Sequence, residues 1–140
     1  MEAVMIRQIR VKNFKSLKDV SLTLGPRNVL VGPNMSGKSN LVDVFRFLAR
    51  MVFPEPGTHG LPNAFTTLGG FSEVAWKGAD SNLICISLEG DGVLGRGPEK
   101  RLRWSYEISI LGDPARARVT VQDEILRVSE VSETVRHYKL

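Results

Sequence analysis

The segment Gly32-Pro33-Asn34-Met35-Ser36-Gly37-Lys38-Ser39 constrains this chain more than any other stretch of its 140 residues. It satisfies the pattern GxxxxGK[ST], which in this composition arises somewhere by chance with a probability of roughly one per cent. Its setting narrows the reading further. Val29-Leu30-Val31 is a short, wholly apolar run that predicts a central strand covered on both faces. After the loop, Leu41, Val44, Phe45 and Leu48 recur at helical spacing, while Asp43, Arg46 and Arg50 fall largely elsewhere on the wheel. Pro54 and Pro56 predict that this amphipathic helix stops near Met51 to Phe53. A glycine loop between an apolar strand and an amphipathic helix is the context that phosphate binding requires.

The residue types follow from that chemistry. Phosphate oxygens must be surrounded by backbone N–H groups, so the loop has to turn inward without obstructing side chains, which Gly32 and Gly37 permit. A helix starting near Gly37 adds unsatisfied N–H groups and the positive end of its dipole. Lys38 can reach the β and γ phosphates as a point charge, and the Ser39 hydroxyl can complete the coordination of Mg²⁺. The candidate site is therefore Gly32, Pro33, Asn34, Met35, Ser36, Gly37, Lys38, Ser39 and Asn40, with ATP and Mg²⁺ as cofactors, Lys38 as the residue acting on phosphate and Ser39 as the metal ligand. An ordinary glycine turn capping a helix would leave the coincidence of four constrained positions unexplained.

The chain is long enough for one domain with one core. Its apolar fraction of 42% and charged fraction of 24% are those of globular proteins and argue against a disordered or fibrous chain. The net charge of +4 is spread along the sequence, so it favours phosphate-bearing partners only weakly. No apolar run approaches the roughly 18 residues needed to cross a bilayer, and Arg7 and Arg10 precede any signal-like stretch. No membrane association is expected, and the reading is an intracellular, cytoplasmic protein. Cys85 lies in the apolar Leu83-Ile84-Cys85-Ile86, where it reads as a small buried hydrophobe.

Residues 1–53 form the strand, loop and helix core of this reading. Ile9 and Val11 alternate with Arg10 and Lys12, and Val20, Leu22 and Leu24 with Ser21 and Thr23, as in half-buried strands. Residues 54–82 predict a loop-rich insertion with a short helical turn near Ala64. In residues 83–140, Leu83–Leu88, Leu102–Ile110, Arg118–Val121 and Ile125–Val128 read as strands. Gly90-Asp91-Gly92 and Gly112-Asp113-Pro114 read as turns between them, giving an antiparallel meander.

Three segments together carry a resemblance: Ile9-Arg10-Val11-Lys12-Asn13-Phe14-Lys15-Ser16-Leu17, Val29-Leu30-Val31-Gly32-Pro33-Asn34 and Ser36-Gly37-Lys38-Ser39-Asn40-Leu41. They resemble the N-terminal lobe of the ABC-type head ATPases, including the RecF, SMC and OLD families, and most of all the predicted stand-alone AAA-family ATPases, where a segment like Gly69-Gly70-Phe71-Ser72-Glu73 is also familiar. The resemblance is specific over residues 6 to 50 and loose beyond. It implies an α/β P-loop NTPase lobe in which an antiparallel β layer packs beside a mixed core sheet, with ATP held between two heads of a homodimer. It also places Lys15 beside the nucleotide as a second phosphate or ribose contact, with Ser16 nearby; the alternative is that Lys15 and Lys18 form a solvated strand end. DNA as a partner is an implication of the resemblance alone. Relatives carry a small residue, often glycine, where this chain has Met35, and a left-handed backbone there would cost about 1 to 2 kcal/mol.

Hydrolysis in these families also uses a Walker B carboxylate pair and a signature segment from a partner head. Val119-Thr120-Val121-Gln122-Asp123-Glu124 imitates the former, but Gln122 interrupts its apolar run, and an exposed turn between strands is the better reading. Thr67-Leu68-Gly69-Gly70-Phe71 shares only two glycines with the latter and reads as a loop turn. His59 and His137 stand alone and read as surface residues. The expectation is the N-terminal part of a larger ATPase, with Val135 to Leu140 giving no stop signal. A non-hydrolytic nucleotide-sensing or assembly module is the second reading.

Overall fold

The computed structural model describes residues 4–94 and 100–131. Strands β1 (Met5–Phe14) and β2 (Leu17–Thr23) form a hairpin, and helix α1 (Lys38–Val52) follows the glycine loop. Two short helices, α2 (Gly60–Thr66) and α3 (Phe71–Val74), lead into strands β3 (Leu83–Leu94), β4 (Lys100–Asp113) and β5 (Arg118–Glu130). The sheet has the order β2-β1-β3-β4-β5, and every pairing in it is antiparallel. None of the helices among the described residues is long and apolar enough to cross a membrane.

Alternation along the strands decides which face is covered. Val11 pairs with Ile86, Ile86 with Ile108, and Ile84 with Ile110, so one buried aliphatic band crosses β1, β3 and β4. The opposite face carries Arg10, Ser87 and Glu107 in the same register and stays in solvent. Helix α1 lays Leu41, Val44, Phe47 and Leu48 against the core, as its period requires. Phe47 joins the Leu41, Val44 and Leu48 stripe, while Phe45 is only partly buried.

Four aromatic rings then tie the elements together. Phe14 of β1 meets Phe47 of α1 edge-on at 5.7 Å, Phe47 meets Phe65 of α2 at 4.9 Å, and Phe65 meets Phe71 of α3 at 5.6 Å. Such pairs add about 0.5 to 1.5 kcal/mol each beyond the area they bury. The stretch 54–82 is thus anchored by its two short helices, with Ala64 and Phe65 buried.

Several expectations are corrected. Val29-Leu30-Val31 is not in the sheet, and its side chains are 86%, 45% and 89% exposed. A strand needs a neighbour's N–H and C=O groups, and none of the described strands pairs with this segment, although Leu30 and Val31 share a groove with Leu17, Val20 and Leu22 of β2. For the same reason, the described strands form no mixed core sheet. Gly90-Asp91-Gly92 is not a turn but the continuation of β3, where the bare Cα of Gly90 admits the Trp104 ring of β4 and the backbone of Met5. Gly112 likewise lies in β4 beneath the Phe71 ring; only Asp113-Pro114-Ala115-Arg116 turns the chain, with Ala117 left-handed at φ 48°. Residues 118–130 form one strand rather than two, and Asp123-Glu124 lies within it instead of at a turn. Cys85 is half-buried on the polar face, 3.6 Å from the Ser109 hydroxyl. His59 is exposed, and His137 lies outside the described residues.

Because Phe47 links β1 to α2, Phe47→Ala removes two ring contacts and leaves a cavity. It should lower unfolding free energy by about 3 to 5 kcal/mol in a urea titration followed by circular dichroism; a loss under 1 kcal/mol would mean that α1 is not held through this ring.

Candidate functional site

The glycine loop runs from Gly32 to the first turn of α1, and its shape depends on two left-handed residues. Gly37, the residue before the helix, has φ 94°, and Met35 has φ 66° with its side chain fully exposed. Glycine adopts such angles freely, whereas methionine does so at a cost of about 1 to 2 kcal/mol. Met35 already holds this conformation in the folded chain, so the cost falls on folding and not on ligand binding. Gly32 is needed for space: a Cβ there would stand 2.9 Å from the Ser36 hydroxyl and 3.9 Å from Lys38 Nζ.

The N-terminus of α1 is open. No side chain caps it, and its first turn contains no acidic residue. Its leading N–H groups and the positive end of its dipole are therefore left for a ligand. Lys38 folds back over the loop, donating from Nζ to the carbonyl oxygens of Gly32 and Pro33 at 2.6 Å each and to Ser36 Oγ at 3.1 Å. The Ser39 hydroxyl makes no hydrogen bond among the described residues. Residues 34–40, together with Ser16, line a groove of about 380 Å³.

The β1–β2 turn forms the wall of this groove. Asn13 and Lys15 are both left-handed, at φ 61° and 48°. Asn13 is buried and donates from Nδ2 to the Leu83 carbonyl at 2.9 Å. Lys15 N donates to the Val74 carbonyl at 2.6 Å, and Trp76 N to the Asn13 carbonyl at 2.9 Å. Two side-chain ties then join the turn to α1: Asn40 Nδ2 donates to Ser16 Oγ at 2.7 Å, and Lys15 Nζ pairs with Asp43 at 2.6 Å. Ser16 also lies close to Gly37, whose added Cβ would stand 3.2 Å from its hydroxyl.

The structure thus gathers Ser16 and Gly32 to Asn40 in one place and sets Lys15 at its rim, where it shares a second groove with Ser16, Asn40 and Trp76. The Lys15 ammonium is bound to Asp43 rather than solvated at a strand end. Lys18 sits instead over the Trp76 ring, 5.1 Å from its centroid. Asp43 is the residue that sequence reasoning missed, because it was read as part of the polar face of α1. Its place one turn beyond Asn40 and three residues before Arg46, its second partner at 3.2 Å, was the available signal. The hydrogen bond from Lys15 holds the Asp43 carboxyl below the ordinary aspartate range, against the opposing effect of its partial burial.

Asp123 and Glu124 stand on β5, three strands from β1. Glu124 accepts a hydrogen bond from the Tyr106 hydroxyl at 2.8 Å, and burial together with that bond raises the tyrosine pKa. A larger cavity of about 460 Å³ lies at the other end of β1, where Arg7 is paired with Asp91 at 2.8 Å.

A family model described as an AAA ATPase domain matches residues 5–89, which include the β1–β2 turn, the glycine loop and α1. The chain belongs to this AAA ATPase domain family. Among similar proteins, the OLD nuclease of Thermus scotoductus is 34% identical over 61 residues, covering 44% of this chain and 12% of that protein. The DNA replication and repair protein RecF of Brucella abortus is 43% identical over 103 residues, covering 69% of this chain and 23% of its own length. The chromosome partition protein Smc of Methanocaldococcus jannaschii is 49% identical over 47 residues, 32% of this chain and 4% of that protein. The chain spans less than a quarter of each of these relatives. The resemblance seen in the sequence is therefore shown, as an AAA ATPase domain related to the OLD, RecF and Smc proteins.

Two outcomes check this geometry. Met35→Gly should raise stability by up to about 1 kcal/mol, the relieved strain being partly offset by the greater freedom of glycine in the unfolded chain; a lower urea midpoint would contradict the strain. Asp43 has a lowered folded pKa, so its contribution is present above the unfolded pKa near 4 and is lost as pH falls through the folded value. Asp43→Asn should therefore be less stable than the native chain at neutral pH, and the difference should shrink progressively in urea titrations as pH is lowered through the folded value of Asp43.

Proposed function

We propose that this chain is an ATP-binding lobe of P-loop NTPase type, holding Mg-ATP through Gly32 to Asn40. The observation that carries the reading is the uncapped start of α1, free of acidic residues, with the Lys38 ammonium lying over the loop. The donor set fits a polyphosphate: backbone N–H groups at the helix start, the Lys38 ammonium over the loop and no competing carboxylate in the first turn. It also fits Mg²⁺, which keeps most of its water and needs little more from the protein than one hydroxyl, here Ser39. Bound there, the metal would neutralise phosphate charge; this chain's residues would orient the phosphates and hold the β1–β2 turn against them. Lys15 is the second cation of the site, shared between Asp43 and the nucleotide.

In the whole protein we infer that bound ATP closes two heads on each other and that the complete head hydrolyses it, in DNA maintenance or defence, in line with the resemblance to the RecF, Smc and OLD proteins. A non-hydrolytic nucleotide-sensing or assembly module is the second reading. It is favoured by the placement of carboxylates: Asp43 is tied to Lys15 and Arg46, and Asp123-Glu124 lies on a distant strand.

Calorimetric titration with Mg-ATP and with Mg-tripolyphosphate tests the binding claim. Lys38→Ala should weaken both by about tenfold or more, as expected for loss of a charge-assisted contact. Lys15→Ala should weaken them less. Undiminished affinity in Lys38→Ala would overturn the assignment.

A further inference from the structure

Large apolar side chains are exposed at several places among the described residues, and four of them lie along one strand. Val121, Ile125, Leu126 and Val128 of β5 are 37%, 38%, 65% and 57% exposed, and among the described residues β5 is an edge of the sheet, with one row of its backbone N–H and C=O groups unpaired. This strand lies beyond residues 5–89, which the ATPase family model matches. Proline and lysine, which commonly blunt such edges, are absent from it.

We propose that β5 pairs antiparallel with β5 of a second copy of this chain, joining the two sheets across a twofold axis at Ile125. The choice of partner comes from the charges along the strand. Self-pairing requires a twofold axis, and the alternation of inward and outward backbone groups lets it fall only on a residue. With the axis at Ile125, Asp123 faces the partner's Arg127 and Arg127 faces the partner's Asp123. An axis at Glu124 or at Asp123 sets two carboxylates opposite each other, and one at Arg127 sets two guanidinium groups opposite each other. An axis at Leu126 forms no ion pair. An axis at Val121 would pair Arg118 with the partner's Glu124, but its ladder would have to run through the extra residue at Gln122 in both copies; within the regular ladder beyond Gln122, Ile125 is the centre that matches opposite charges without opposing like ones.

The side chains agree with that register. Asp123 has no hydrogen bond or ion pair among the described residues. Arg127 spends one nitrogen on Glu107 of its own sheet, at 2.7 Å, and keeps further N–H donors for a second carboxylate. On the polar face Ile125 meets its own copy; on the other face Leu126 lies diagonal to its copy, which covers the most exposed apolar side chain of the strand. The register shift between Ser109 and Ile110 leaves Gln122 as an extra residue on β5, which ends the regular ladder just beyond Asp123. A ladder from Asp123 to Arg127 is short, so the dimer should be weak, with a dissociation constant roughly micromolar or higher. It needs no nucleotide and is separate from any closure of heads on ATP.

Sedimentation velocity of the 140-residue chain from low to high micromolar concentration tests this. The native protein and Lys38→Ala should show the same monomer–dimer equilibrium, with or without Mg-ATP. Asp123→Arg alone and Arg127→Asp alone each place like charges across the axis and should weaken association about tenfold or more. An equimolar mixture of these two variants restores both ion pairs and should dimerise where neither does alone, an outcome that misfolding of either variant does not imitate. A native chain that stays monomeric, single variants that associate undiminished, or a mixture no more associated than its components would each overturn the proposal. Equal dimerisation of Lys38→Ala leaves the nucleotide reading to its own test.

Discussion

Helix α1 is held at its first two turns by the β1–β2 hairpin, and the geometry of the glycine loop depends on that junction. Asn40 bonds to Ser16, Asp43 to Lys15, and Phe47 packs on Phe14, so three successive positions along one side of the helix each find a partner in the turn or in the strand leading to it. A helix of this length has little stability of its own in water, and tertiary contacts of this kind determine where it starts. With its start held, Gly37 takes its left-handed conformation at the head of the helix, and the uncapped first turn lines the groove.

The turn is itself strained to meet the helix. Lys15 is left-handed, a conformation that lysine adopts at a cost of about 1 to 2 kcal/mol, and it is stabilised by backbone bonding to Val74 and by the ion pair with Asp43. The ion pair has side chains 21% and 16% exposed, sheltered enough that salt screens it less than a surface pair. Met35 lines the loop groove and Lys15 lines the groove beside it, the two sharing Ser16 and Asn40; binding sites in general concentrate unfavourable backbone angles of this kind.

Much of this was legible in the sequence, for identifiable reasons. The loop motif, the helix after it and the alternating strands are local patterns, and their periods set the buried faces. Residues whose role is set by something far along the chain were not legible. Gly90 and Gly112 look like turn glycines, yet each makes room for an aromatic ring, Trp104 or Phe71, from a distant segment. Val29-Leu30-Val31 has the composition of a central strand, but a strand exists only beside another, and composition carries no information about neighbours. Asp43 has the spacing of a solvent-facing residue and lost that role only because the hairpin turn folds over it.

Lys38 donates to the carbonyl oxygens of its own loop. The loop therefore carries an internal competitor for its cation: an anion that enters must draw the ammonium away from two oxygens at 2.6 Å before gaining it. Since carbonyls are neutral and phosphate is charged, such an exchange would discriminate by ligand charge, disfavouring weakly charged anions that merely replace one hydrogen bond with another. Selectivity for highly charged ligands can in this way be set by the resting position of one side chain.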